Sequence, residues 1–121
     1  MSEPLKVVTK DWGSEEWVVN QPNYCAKYLR IDPGKRCSEH YHPIKSESFR
    51  VELGEVVVSI NGARKLYEPL DVIHIPAGTR HWFGVPRNAL SHALLLEVST
   101  HHDDNDVVRL RPSGEFEGHE I

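Results

Sequence analysis

Turn-forming residues fall so densely along this chain that no long helix fits between them. Pro22, Pro33-Gly34, Gly54, Asn61-Gly62, Pro69, Pro76-Ala-Gly78, Gly84, Pro86 and Pro112 cut its 121 residues into short pieces, about six to ten residues each. Proline lacks a backbone donor and glycine admits left-handed conformations, so each marks a turn or an edge. The pieces between them alternate. Cys25, Lys27, Leu29 and Ile31 oppose Tyr24, Ala26, Tyr28 and Arg30; Phe49, Val51 and Leu53 oppose Arg50 and Glu52. Alternation with a period of two marks half-buried strands. Strands are predicted at residues 5–9, 17–20, 24–31, 49–53, 55–60, 63–67, 71–75, 81–85 and 91–99, with Val107-Val108 docking as a further short one. Asn61-Gly62 predicts a type I′ hairpin. The expectation is an all-β sandwich or barrel of short strands.

Residues 34–54 carry the chemistry. His40 and His42 are two apart, so an extended strand presents both imidazoles on one face. Glu47 follows at an odd separation and an unbroken strand would turn it away. Pro43 cannot donate to a ladder, so a break at Pro43–Lys45 is predicted. Glu47 then shares parity with Phe49 and Val51 and points inward with them. Two imidazoles and a carboxylate form a ligand set for a divalent metal. His81, three residues after Gly78 at the mouth of a distant strand, is the candidate for the remaining ligand. The odd separation of Cys37 from His40 counts against a sulfur ligand.

Composition narrows the alternatives. The net charge of -4 is spread along the chain with both signs mixed, without the basic stripe of a nucleic-acid binder. The longest apolar run, Ala93-Leu94-Leu95-Leu96, is far too short to span a bilayer. MSEPLKVVTK lacks the apolar segment of a signal peptide, so a cytoplasmic location with Cys25 and Cys37 reduced is expected. One domain over 1–121 is predicted, with a barrel core at about 22–100 and the strand region 5–20 and polar tail 101–121 packed outside. A chain of this size has a modest core, which makes a homodimer the expected assembly.

Two motifs resemble those of the cupins. The first is Gly34, His40, His42, Glu47 and Gly54; the second is Pro76, Gly78 and His81. Leu70 stands where the second motif has its leading glycine, and Val85 where it ends in asparagine. The resemblance implies an antiparallel double-stranded β-helix, the cupin jelly-roll barrel. It also implies one divalent metal (Mn, Zn, Fe, Co or Ni) held by His40, His42, Glu47 and His81. Trp12-Gly13, Tyr24-Cys-Ala-Lys-Tyr-Leu, His40-Tyr-His-Pro-Ile-Lys-Ser-Glu-Ser-Phe and Leu96-Glu-Val-Ser-Thr-His are similar to D-lyxose isomerases and to the cupin domain of bacterial mannose-6-phosphate isomerases. The activity implied is a metal-dependent aldose–ketose isomerase or epimerase acting on a small-molecule sugar through an enediol. The other readings are an iron-dependent small-molecule dioxygenase and a non-catalytic metal- or sugar-binding cupin.

An isomerase needs a base at the carbons beside the carbonyl. Glu97 is the candidate. If the interior takes Ala93, Leu95, Glu97 and Ser99, Glu97 faces the metal; if it takes Leu94, Leu96 and Val98, Glu97 is exposed. The inward register is expected. Lys45 and Lys27 could donate to a substrate oxygen or offset the charge of Glu97. Solvent-facing positions are the alternative for both. Tyr28, Arg30 and Phe49 are further candidates for substrate contact. Trp12 and Trp17 read as packing residues, and His74 as a core or outer-face histidine. His101-His102-Asp-Asp-Asn-Asp lacks the spacing of a calcium loop and reads as a hydrated loop.

Overall fold

The computed structural model describes residues 6–116. Leu5, where the first strand was expected to begin, and residues 117–121 of the tail lie outside the described residues. The described chain is built from strands: β1 (Lys6–Lys10), β2 (Gly13–Gln21), β3 (Tyr24–Ile31), β4 (Lys35–Arg36), β5 (Glu39–Tyr41), β6 (Glu47–Leu53), β7 (Val56–Ile60), β8 (Ala63–Tyr67), β9 (Val72–Ile75), β10 (His81–Gly84), β11 (Ala93–Ser99), β12 (Val108–Arg111) and β13 (Gly114–Glu115). No helix among the described residues is long and apolar enough to cross a membrane.

The strands form two antiparallel sheets. One runs β1-β2-β3-β11-β6-β9. In the other, β10 pairs with β7 on one side and with both β4 and β5 on the other. β8 extends it beyond β7, while β12 and β13 pair with β5 and β4. The expected hairpin joins β7 to β8. Asn61 and Gly62 both have positive φ, 51° and 86°, as a type I′ turn requires.

The core lies between the sheets. Ile31, Phe49, Val51 and Leu95 come from the first sheet; Val58, Phe83 and Val85 come from the second or its end. Phe49 and Phe83 meet edge to face across the gap, with centroids 4.8 Å apart. A smaller apolar layer lies outside the second sheet, where Phe116 covers Trp82 at 5.5 Å. Leu53 departs from the expected alternation and is exposed, because a bulge opposite Leu94/Leu95 resets the register at the end of β6.

The hairpin β1–β2 was expected outside the barrel. It instead continues the first sheet from β3, and Trp12, Glu15 and Trp17 line the internal cavity. The tail likewise contributes to the structure: β12 lies directly beside β5, the strand that carries His40.

Candidate metal centre

A cavity of about 550 Å³ opens between the sheets, and it holds the histidines picked out by their spacing. His40 of β5 pairs directly with His81, the first residue of β10. Their rings stand 4.6 Å apart. His42 follows β5, just before a bend at Pro43–Ile44. The ligand nitrogens of His40, His42 and His81 lie within 4.8 Å of one another.

Backbone carbonyls set the tautomer of all three rings. Nδ1 of His40 lies 2.8 Å from the Ser38 carbonyl, that of His42 2.7 Å from the Asp106 carbonyl, and that of His81 2.9 Å from the Thr79 carbonyl. A carbonyl only accepts, so each Nδ1 carries a proton and, in the neutral ring, each Nε2 offers a lone pair. This is the outer arrangement that orients metal-binding histidines. The break after His42 lets β6 start with Glu47 facing inward, in step with Phe49 and Val51. Its Oε1 stands 3.5 Å from His42 Nε2 and 3.4 Å from His81 Nε2. That oxygen is buried and receives no hydrogen bond among the described residues. The Nε2 atoms of His42 and His81 thus converge on a buried carboxylate oxygen. Such a donor set fits a divalent cation, and His40, His42, His81 and Glu47 could supply its ligands.

The electrostatics agree. Burial, with His81 adding to it, pushes His40 down to about 3. Burial lowers His42 as well, against the pull of Glu47. For Glu47, burial acts upward, but His81 and the Lys45 ammonium outweigh it and hold the carboxyl at about 2. Neutral His40 and His42 beside an ionised Glu47 are protonation states that metal binding requires.

Beside the histidines lies a buried acid–lysine pair. β11 turns Ala93, Leu95, Glu97 and Ser99 inward, in the register expected. Glu97 Oε2 stands 3.0 Å from Lys45 Nζ, which is also 3.5 Å from Glu47 Oε2. Glu97 Oε2 receives no well-directed hydrogen bond among the described residues, so it has acceptor capacity left toward the cavity. Burial, then the nearby Glu47 carboxylate, raises the Glu97 carboxyl. Lys45 is raised too: burial works against its charge, but Glu97 and Glu47 prevail. The solvent-facing alternative for Lys45 does not hold, since it is 2 % exposed.

Lys27 also points inward, with its Nζ 3.4 Å from Glu15 and 4.0 Å from the centroid of Trp17. Trp17 is therefore a cavity-wall residue as well as a packing one. Phe49 forms part of the cavity floor and is otherwise core. Tyr28 and Arg30 require correction as substrate contacts. The alternation that sends Lys27 inward sends them to the outer face, where Arg30 pairs with Asp32 at 3.2 Å. Cys37 is buried against β10, where it accepts the Phe83 N–H, and burial pushes its thiol up to about 12. His74 is exposed and bonded to Ser48.

Glu15 and His102 are among the cavity residues that sequence reasoning missed. Glu15 sits on a hairpin assigned to the outside. His102 was read as part of a hydrated loop, yet its Nδ1 lies 2.9 Å from Lys45 Nζ and its ring meets Trp17 edge to face at 5.0 Å. Burial, with Lys27 and Lys45 adding to it, lowers His102 to about 4, although Asp104 opposes the shift. No local pattern marks either residue, since each reaches the cavity through pairings distant in sequence.

The family model for the cupin domain matches residues 27–98, more than half of the chain. The chain belongs to the cupin family. This cupin is 29% identical over 121 aligned residues to a D-lyxose/D-mannose isomerase from Thermosediminibacter oceani, a match covering 78% of this chain and 65% of that protein. It is 28% identical over 102 residues to the mannose-1-phosphate guanylyltransferase ManC of Salmonella typhimurium, covering 84% of this chain and 21% of that protein. The cupin thus spans less than two thirds of either relative's length. Among solved structures, the capsular polysaccharide assembling protein CapF from Staphylococcus aureus superposes with a TM-score of 0.77 at 23% identity, covering 91% of this chain and 35% of that one. That likeness concerns the fold.

Proposed function

We propose that this cupin is a divalent-metal-dependent aldose–ketose isomerase, or an epimerase, acting on a sugar such as D-lyxose or D-mannose. The observation that carries this reading is the placement of Glu97. Its buried carboxylate shares one lysine ammonium with Glu47, which faces two of the three clustered imidazoles. The name of the Thermosediminibacter relative supports the substrate class. The mixed lining of the cavity, with Glu15, Lys27, Lys45 and Glu97 beside the histidines, favours a polyhydroxylated substrate over an oxygenase's apolar one.

In this reading His40, His42, Glu47 and His81 hold one divalent metal. When bound, the metal acts as a Lewis acid that polarises the sugar carbonyl. Glu97 takes the proton from the carbon beside that carbonyl and returns it to the former carbonyl carbon, while the proton of the adjacent hydroxyl passes to the former carbonyl oxygen. Its raised affinity for a proton suits a base that must hold one between the two steps. Lys45 keeps the Glu47 and Glu97 carboxylates apart and compensated, since burying them without a counter-charge would be costly. Trp17 and Lys27 form the side wall against which the sugar lies.

The test is metal analysis of the purified protein, followed by an aldose and ketose panel in deuterated water. Deuterium entering at the carbon next to the carbonyl is expected. Turnover that survives His81→Ala, or that consumes oxygen, would overturn the reading.

A further inference from the structure

The segment between β11 and β12 makes contacts that neither the metal set nor the base accounts for. Asn20 holds the peptide of His102 on both sides, donating to its carbonyl at 3.0 Å and accepting its N–H at 3.0 Å. The ring so placed faces Lys45. An ammonium only donates, so His102 Nδ1 is the acceptor and the ring proton lies on Nε2. Nε2 in turn lies 2.8 Å from Asp104 Oδ1, which accepts that proton. His102 is thus the opposite tautomer to His40, His42 and His81, which sets it apart from the metal cluster.

Four residues further on, Asp106 grips the same region from the backbone. Its carboxylate oxygens accept the N–H groups of Ile44 and Lys45, each at 2.9 Å. Its carbonyl accepts the Nδ1–H of His42 at 2.7 Å. One short segment therefore fixes the backbone of Lys45, its ammonium and the ring of His42 together.

We propose that His102 is the positioning residue for Lys45, accepting from its ammonium at Nδ1 so that the lysine stays between Glu47 and Glu97, with Asp106 locking the same segment to His42. The lysine's other neighbours are the two carboxylates, with Glu97 Oε2 at 3.0 Å. Glu97 Oε2 takes no well-directed bond from it, and Glu47 Oε2 is 3.5 Å away, so His102 supplies its best-directed contact. Without that acceptor the ammonium can swing toward either carboxylate, and Glu97 loses its fixed orientation. The effect on turnover rests on the isomerase reading above; the placement of Lys45 does not.

The experiment has an arm independent of catalysis. Long-range ¹H–¹⁵N spectra of the metal-free protein at neutral pH should show His102 with its proton on Nε2, and His40, His42 and His81 with theirs on Nδ1. Lys45 should give an ammonium signal protected from solvent exchange. His102→Ala should abolish that protection. His102→Asn, whose side-chain oxygen reaches a place close to Nδ1, should retain it. In turnover, His102→Ala should lower kcat at least tenfold with KM within threefold of the native value, and His102→Asn should recover most of the loss. Metal affinity should stay within threefold in both. A His102 proton on Nδ1, or unchanged Lys45 protection in His102→Ala, overturns the proposal. If the native protein turns over no sugar, the isomerase reading fails and the spectra still decide the role of His102.

Discussion

Lys27 and Glu97 are directly opposed on β3 and β11, both pointing inward, yet the Lys27 ammonium makes its ion pair with Glu15 on β2 instead. Lys27 is 2 % exposed. It rests 4.0 Å over Trp17, its other compensation for lost water. Removing Glu15 strands a buried charge, whereas removing both partners does not. Glu15→Ala is expected to destabilise the protein by about 2–4 kcal/mol, while the double change Glu15→Leu with Lys27→Met stays within about 1 kcal/mol of the native protein. Urea denaturation of the set checks this. A Glu15→Ala protein as stable as the native one would refute it.

On the proposed function, Glu97 as base and the histidines as metal ligands should separate kinetically. Glu97→Gln keeps the shape and removes the base, so kcat on a competent sugar should fall by about 10² to 10⁴ while metal content stays at the native level. His81→Ala should lose both. Metal content by mass spectrometry beside steady-state kinetics makes the comparison. Parallel loss of metal in Glu97→Gln would make Glu97 a ligand.

Acid should unfold the metal-free protein early. The unfolded chain protonates its histidines near the ordinary value of 6.5, whereas folded His40 resists protonation down to about 3 and His102 to about 4. Between those limits the unfolded state binds more protons, so stability falls as the pH falls. Glu47 adds to the loss below its ordinary value of 4.5, reaching its full extent near its folded value of about 2. Raised Glu97 opposes the trend just above 4.5. Denaturation midpoints measured from pH 7 to 3 should decline throughout, and replacing His40 by Gln in the metal-free protein should flatten the upper part of that decline. A flat profile above pH 5 would contradict this account.

Leu70 offers a gain in stability. It sits in the left-handed region with φ 80° and an exposed side chain, so the strained backbone has little burial in return. Its N–H bonds the Val51 carbonyl, and the Val51 N–H bonds the Asp71 carbonyl, which holds the turn in place. The family's motif has glycine at this position, where φ is permissive. Strain of about 1–2 kcal/mol, less the entropy glycine loses on folding, leaves Leu70→Gly more stable by about 1 kcal/mol. Gly54→Ala should go the other way and further, because an added Cβ would meet the His92 carbonyl oxygen at 2.5 Å. Thermal denaturation reads both.

Period and punctuation made much of this fold legible. The Asn61-Gly62 hairpin, the break after His42 and the inward register of Glu97 follow from residues near one another in sequence. The three clustered histidines were legible because His42 follows His40 two residues on, just past the end of β5, and the third opens another strand after a glycine turn. His102, Asp106 and Glu15 were not. Polar residues in a loop look hydrated until the partner they meet is known, and for His102 and Lys45 that partner is 57 residues away. Tyr28 and Arg30 are a different case, since strand parity alone separates them from Lys27.

The position of β5 between β10 and β12 bears on the order in which the molecule assembles. The hairpin of β7 and β8 closes over two residues and can form early, because short loops cost little entropy. The histidine cluster cannot. It needs residue 40 beside residue 81, and residue 42 beside residue 106, so it exists only after these long loops have closed. On the proposed function, capture of an ion would therefore follow the hairpin, and a metal-sensitive probe would report when β5 has joined β10 and the Asp106 segment.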